Sequence, residues 1–241
     1  MDGTGEHFAQ LLAALGDRFP TIVVRYPDEP LDYEQHERIA RAALPQDRPY
    51  VLLGESFSGP IALAIAADAP AGLVGYILCA SFARCPRWIL RLASPFLGLV
   101  PFRRIPNSLV NHFLIGRFAT PDLRLANAAP LHRVSPATLS ARLQAIAKVD
   151  VTEKLARIRV PGLYLRGTQD RLIPASACRA LRRAIPGLRR VEIQAPHFVL
   201  QVNPRLAAEA IAQFIGTICL DAATSQHHCA PGQPNEALVT S

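Results

Sequence analysis

Apolar residues along this chain fall into short continuous runs, separated by longer stretches in which they recur every three or four positions. The runs TIVVRYP (21–27), YVLLGES (50–56), LVGYILCAS (73–81), PGLYLRGT (161–168) and RRVEIQA (189–195) are apolar or nearly so. That pattern predicts strands buried on both faces. Between them, EHFAQLLAALGDRF, DYEQHERIARAAL, SGPIALAIAADA and SACRALRRAI carry apolar positions at helical spacing, and PRLAAEAIAQFIGTI (204–218) follows with Pro204 in its first turn. Strand and helix alternate, so the fold class is α/β: a mostly parallel sheet with helices on both faces.

Two segments leave the alternation. Residues 83 to about 157 show no strand pattern but several short helical pieces punctuated by Pro86, Pro95, Pro101, Pro106, Pro121 and Pro136. An insertion this long between two strands predicts a helical lid over the sheet. From Asp221 onward the chain is polar and contains two prolines and a glycine, which predicts a disordered tail (221–241) behind a single domain (1–220).

Composition narrows the picture further. Half of the 241 residues are apolar and 19% are charged, ample material for one buried core. The net charge of +7 is spread along helices rather than gathered with aromatics, so no nucleic-acid partner is expected. Cys79, Cys85, Cys178, Cys219 and Cys229 are odd in number and form no CxxC, which fits a reducing cytoplasm better than a disulfide framework. His227, His228 and Cys229 in the tail are read as incidental rather than as a metal site. Neither an export signal nor an apolar run of about 20 residues is visible, so no integral membrane segment is expected.

Candidate chemistry begins where YVLLGES meets its helix. A strand, the corner Gly54-Glu55-Ser56-Phe57-Ser58 and an immediate helix describe a nucleophile elbow, in which small flanking residues let the two arms approach while Ser56 projects from a strained backbone. A serine that merely caps a helix N-terminus would give the same local sequence. A serine hydroxyl needs a base and an acid to orient that base. Asp170 follows the strand PGLYLRGT and His197 follows RRVEIQA, both after the serine in the chain and both past the ends of later strands. His7 and His36 lie on earlier helices and His112 and His132 in the lid; Asp150 precedes its strand, Glu192 falls inside one, and Glu55 is assigned no proton transfer.

Through GESFSGPIA, GTQDRLIP and APHFVLQVNP the chain resembles the α/β-hydrolase superfamily over residues 1 to 218, with the helical insertion where that family carries its lid. The resemblance implies Ser56 as nucleophile, His197 as general base and then acid, Asp170 as orienting carboxylate and the Phe57 backbone N–H as one oxyanion donor. The second donor comes, in such proteins, from a loop like Pro-Gly-(Leu or Met)-Asp-Gly-Thr-Gly, which matches Met1-Asp2-Gly3-Thr4-Gly5 and puts that role on Met1. The family's strand before this loop, which lies between the equivalents of TIVVRYP and YVLLGES, has no counterpart here. Two rows of backbone groups would then lose their ladder partners, at about 1–3 kcal/mol for each buried unpaired group. The natural chain is therefore expected to start upstream of Met1, or the sequence to be a truncated form.

The resemblance implies a serine hydrolase acting on a carboxylic ester or related acyl small molecule, with no cofactor. Acyl transfer, thioester or peptide cleavage on the same residues, and a non-catalytic binding protein that keeps the fold, stand as alternatives. In the lid, Trp88, Phe96 and Phe102 lie among arginines and are candidates for an apolar acyl pocket, with ordinary lid packing as the competing reading.

Overall fold

The computed structural model describes residues 3–94, 105–125, 133–225 and 237–240, with only the backbone for Trp88 and residues 221–225. Six strands form one sheet: β1 (Thr21–Val23), β2 (Tyr50–Glu55), β3 (Leu73–Cys79), β4 (Gly162–Gly167), β5 (Arg189–Ile193) and β6 (Ala237–Thr240). Their spatial order is β1-β6-β2-β3-β4-β5, and every pairing is parallel. Each run read as a strand from the sequence forms one, shorter by one to four residues because the ends turn into the loops that carry the polar residues.

Side chains alternate across this sheet into two buried layers. Leu52, Tyr76, Tyr164 and Val239 join Ile61, Leu63 and Ile65 of α3 (Gly59–Asp68) and Ala40 of α2 (Tyr33–Ala42) on one face. Val51, Leu53, Ile77, Leu163 and Leu238 face the other way, onto Leu11 and Leu15 of α1 (Ala9–Leu15). Ile211, Phe214 and Ile215, from the long C-terminal helix Pro204–Ser225, complete that layer. Helix α3 is buried along Gly59–Ala67, as its almost wholly apolar sequence requires.

The insertion after β3 leaves and rejoins the body through a neck. Arg84 bridges Asp150 antiparallel, Val151 N–H donates to the Ala83 carbonyl at 3.0 Å, and Cys85 N–H donates to that of Val149 at 3.4 Å. Beyond the neck lie α4 (Trp88–Ala93), α5 (Asn107–Leu114) and α6 (Pro136–Lys148), the last capped by the Ser135 hydroxyl, which accepts from Thr138 N–H at 3.2 Å. Asp28 anchors this cap from the body by accepting from Ser135 N–H and Oγ. Hydrogen bonds from Thr138 and Ser135 hold the Asp28 carboxyl below the usual carboxylate range.

The C-terminus departs from expectation. The helix begun at Pro204 continues to Ser225, seven residues past its predicted end, and residues 237–240 are a strand rather than disordered tail. The four residues of β6 are all buried, between β1 and β2. Leu238 N–H donates to the Pro20 carbonyl at 2.8 Å, Ala237 N–H to that of Pro49 at 3.1 Å, and Thr240 C=O accepts from Val24 N–H at 2.8 Å. The two rows of donors and acceptors expected to lack partners are therefore paired, from the far end of the chain. The physical reason is that two facing strand edges favour any short apolar run that can complete both ladders, and Ala-Leu-Val-Thr is such a run. Further along the same edge of β1, Tyr26 N–H donates to the Gly3 carbonyl at 2.8 Å, so the N-terminal loop takes up the row where β6 leaves it. Among the described residues no helix is long and apolar enough to cross a membrane.

Because Leu238 is fully buried in an interior strand, Leu238→Ala should destabilise the protein by about 2–5 kcal/mol. Urea unfolding measures this directly, and a change below about 0.5 kcal/mol would mean that the segment lies outside the sheet.

Candidate active site

Ser56 is the tip of a turn that the local sequence makes tight. β2 ends at Glu55, a single 3-10 turn spans Ser56–Ser58, and α3 starts at Gly59. Ser56 takes φ +51°, the left-handed region in which an L-residue is strained unless its surroundings hold it. Those surroundings are specific. The Ser81 hydroxyl, just beyond β3, donates to the Ser56 carbonyl at 2.7 Å. Ser81 is itself gripped by Tyr164 of β4, whose hydroxyl donates to its carbonyl at 2.7 Å and accepts from its N–H at 3.0 Å. Gly59 is required by this arrangement, since a Cβ there would stand 1.7 Å from Ser81 Oγ. Tyr33 of α2 adds a third brace: its hydroxyl donates to the Phe57 carbonyl at 2.9 Å, and its ring stacks on that of Phe57 with centroids 4.7 Å apart. Burial pushes the Tyr33 phenol well above its usual pKa, so it remains a donor.

Two more loops converge on the serine from the ends of β4 and β5. Ser56 Oγ–H donates to His197 Nε2 at 2.9 Å, and His197 Nδ1–H donates to Asp170 Oδ2 at 2.9 Å. Asp170 Oδ1 is satisfied separately by Leu172 N–H at 2.8 Å and Ile173 N–H at 2.9 Å, so the carboxylate is fixed in its own loop while one oxygen points at the imidazole. Both the Asp170 and His197 side chains are nearly inaccessible, at 3% and 4%. The acid loop and the histidine loop approach so closely that a Cβ on Gly167 would meet the Pro196 carbonyl oxygen at 2.2 Å.

The three residues named from strand ends thus form one hydrogen-bonded chain, while Glu192, Asp150 and His36 are engaged elsewhere and His132 lies outside the described residues. Glu192 bonds Arg166 at 2.9 Å, Asp150 serves Thr152, and His36 is buried with Nδ1 on the Asp32 carbonyl at 2.6 Å. His7 differs from its reading as an ordinary helix histidine. It lies in the wall of the cavity above Ser56, its ring 5.1 Å from that of Phe198. Cys79 beneath the site is no rival nucleophile, because burial, reinforced by the Glu55 and Asp170 charges, pushes its thiol well above the usual range.

The cavity holds about 470 Å³ and opens onto Ser56, Phe57 and His197. Its wall is mainly apolar, with Val24, Phe82, Leu90, Val110, Phe113 and Leu143 drawn from body and lid alike. Phe57 is in the wall, while Met1, Phe96 and Phe102 lie outside the described residues, as does the side chain of Trp88. The Gly3 and Gly5 positions of the N-terminal loop do reach the wall. Sequence reasoning missed Ser81, Tyr164, Tyr33 and Gln201, which act on the backbone or through a second residue and so carry no motif. Gln201 alone left a trace, four residues after His197 and so one helical turn on. Among the described residues no group of three or more His, Cys, Asp or Glu side chains could hold a metal ion.

Comparison with known proteins agrees with this fold. Residues 3–210 match the alpha/beta hydrolase family. The chain is 31% identical over 206 residues to a pimeloyl-[acyl-carrier protein] methyl ester esterase of Vibrio cholerae, covering 76% of this chain and 78% of that protein. Over a shorter stretch of 74 residues it is 40% identical to RutD of Klebsiella pneumoniae, spanning only 28% of that relative's length and 30% of its own. Among solved structures, a bromoperoxidase of Bacillus anthracis superposes with a TM-score of 0.74 at 15% identity, covering 88% of each chain. The enol-lactonase of Burkholderia xenovorans LB400 superposes with 0.69 at 19% identity, covering 89% of this chain and 88% of its own.

Gly59→Ala should lower stability by about 1–3 kcal/mol, because Ser81 must move off the elbow to admit the new methyl group. Ser81→Ala, which removes only the hydrogen bond to the Ser56 carbonyl, should cost about 1 kcal/mol. Thermal melts of the two variants should keep that order; the reverse order would show that Ser81 is not what makes Gly59 necessary.

Proposed function

The chain belongs to the alpha/beta hydrolase family, and on that premise we propose that it hydrolyses a carboxylic ester or related acyl compound through an acyl-enzyme on Ser56. The observation that carries this reading is the unbroken hydrogen-bonded series Ser56–His197–Asp170 at the floor of an apolar cavity. His197 takes the Ser56 proton as the hydroxyl oxygen attacks the acyl carbon, and Asp170 keeps Nδ1 protonated and the ring in plane. The tetrahedral oxyanion is received by the Phe57 N–H at the start of the turn into α3, where the helix dipole also favours negative charge. A second donor comes from the N-terminal loop, the place given to Met1. The leaving alcohol departs with the proton held by His197. Water, deprotonated by the same imidazole, then attacks the acyl carbon and frees Ser56.

The mainly apolar wall supports a neutral, hydrocarbon-rich acyl or alcohol group. The ester chemistry is supported by the relatives, one named a methyl ester esterase and one an enol-lactonase. Thioester, amide and acyl-transfer chemistry would use the same intermediate, and no contact in the cavity favours them over ester hydrolysis. A binding protein that had lost catalysis would have no reason to keep Ser56 at φ +51° and bonded to a buried imidazole.

A fluorophosphonate probe should label the protein once, and Ser56→Ala should abolish the label. Asp170→Asn should slow p-nitrophenyl ester hydrolysis by at least about 10³-fold while leaving the fold intact, since the imidazole then loses its orienting charge. Labelling that persists in Ser56→Ala would place the nucleophile elsewhere.

A further inference from the structure

Glu55, immediately before the nucleophile, and Gln201, four residues after the histidine, are not part of the proton path, yet they meet beneath it. Gln201 lies on a single helical turn, Val199–Val202, that begins directly after His197-Phe198. Its side chain is buried, and its amide Nε2 donates to Glu55 Oε1 and Oε2, both at 3.2 Å, and to the His7 carbonyl at 3.3 Å. One amide group therefore ties together three separate pieces of chain. These are the end of β2 that presents Ser56, the turn that carries His197, and the first helical turn (Glu6–Phe8), which follows the loop Gly3–Gly5.

The chemistry of the pair argues for a purpose beyond filling space. Gln201 Oε1 is buried without a hydrogen-bond partner among the described residues, a penalty that a leucine of similar size would not incur. The amide is kept for its N–H groups. Glu55, for its part, is a carboxylate in the cavity wall whose pKa burial pushes up, opposed by the nearby His197 and His7 and by the Gln201 hydrogen bond. Taking a carboxylate out of water beside the nucleophile is unfavourable unless a donor is fixed to receive it, and Gln201 is the donor the structure supplies.

We infer that Glu55 and Gln201 form a positioning pair, which holds the His197 turn and the N-terminal loop in register with Ser56 and so sets the rate of acylation rather than the affinity for substrate. The inference rests on Ser56 as nucleophile and His197 as base. Small errors in the placement of a base cost rate steeply. Without the pair, His197 stays linked to Asp170 but the turn that carries it is no longer fixed to the elbow. The N-terminal loop is loosened by the same change, through His7. Ground-state binding depends mainly on the apolar side chains of the wall, to which the pair adds only the Glu55 carboxylate.

The test compares full-length wild type, Ser56→Ala, Gln201→Leu, Glu55→Gln and the exchange Glu55→Gln/Gln201→Glu. The readouts are the rate of fluorophosphonate labelling and kcat and KM for a p-nitrophenyl ester, with melting temperatures recorded alongside. Gln201→Leu should lower kcat and the labelling rate by about 10- to 100-fold, with KM within about twofold. The exchange variant rebuilds a carboxylate–amide pair with the partners reversed. It should recover at least about half of the logarithmic loss seen in the slower of the two single variants, Glu55→Gln and Gln201→Glu, which is added for this comparison. Gln201→Leu reacting at the wild-type rate, or an exchange variant no faster than that single variant, overturns the pairing. Loss of rate only in step with loss of folded protein overturns it too, because the pair would then be structural alone. Wild type that fails to label, or Ser56→Ala that still labels, removes the nucleophile on which the inference stands and is recognisable as that separate failure.

Discussion

Everything in this molecule that bears on chemistry depends on β2 being paired on both edges. The strand is buried on both faces and ends one residue before Ser56, so its direction fixes where the hydroxyl points. On one side β3 supplies a ladder from Tyr50 to Glu55, and on the other β6 supplies one from Tyr50 to Leu53. An interior parallel strand has no water to satisfy its N–H and C=O groups, and a missing neighbour would leave a row of them unpaired in the centre of the core. Such a loss would rival the whole folding free energy of an ordinary domain, about 5–15 kcal/mol. A four-residue strand at the far end of the chain is thus as important to the elbow as the residues that form it.

Strain at the elbow follows from that rigidity. A φ of +51° at Ser56 persists only if its neighbours define the backbone more strongly than the torsion resists. The Ser81 hydroxyl on the Ser56 carbonyl and the Tyr33 hydroxyl on the Phe57 carbonyl are those definitions, the first from just past the end of β3 and the second from α2 packed against the sheet. The two hydrogen bonds fix consecutive carbonyls. They leave the Ser56 hydroxyl to bond His197, and neither of them competes with that bond.

The sequence exposed the parts of this arrangement whose signals are local. β2, β3, β4 and the main helices could be read because parallel strands buried on both faces are continuously apolar and helices repeat on a different period. β1 and β5, expected to be buried on both faces, are instead edge strands with exposed positions. Ser56, Asp170 and His197 could be read because each follows a strand and each is of a residue type the chemistry needs. β6 could not be read. Ala-Leu-Val-Thr is too short to stand out from the polar residues before it, and its strand character comes from two edges about 200 residues away in the chain rather than from its own propensity. The supports at Ser81 and Tyr164 were illegible for a related reason: a side chain that bonds to the backbone leaves no spacing to detect, and Gln201 left only its place four residues after His197.

The lid is joined to the site by bonds weaker than those that hold the body together. Phe198 N–H, beside the histidine, donates to the Leu114 carbonyl at the end of α5 at 3.1 Å. Arg87 donates to the carbonyls of Arg171 and Leu172 in the acid loop, and Arg171 reaches His112 of α5 at 2.7 Å. The arginine contacts are exposed, so each contributes roughly 0–1 kcal/mol against water and salt. The elbow and its partners, in contrast, are buried among strands. Among the described residues, moving α4 and α5 off the site requires breaking few strong interactions, whereas moving Ser56 against His197 requires disrupting the core. α6 is held to the body by Asp28 and by the buried Arg142, which donates to the Pro27 carbonyl at 2.8 Å. A cavity roofed in this way can exchange an apolar ligand while the groups aligned at Ser56 stay in place, a division between access and alignment.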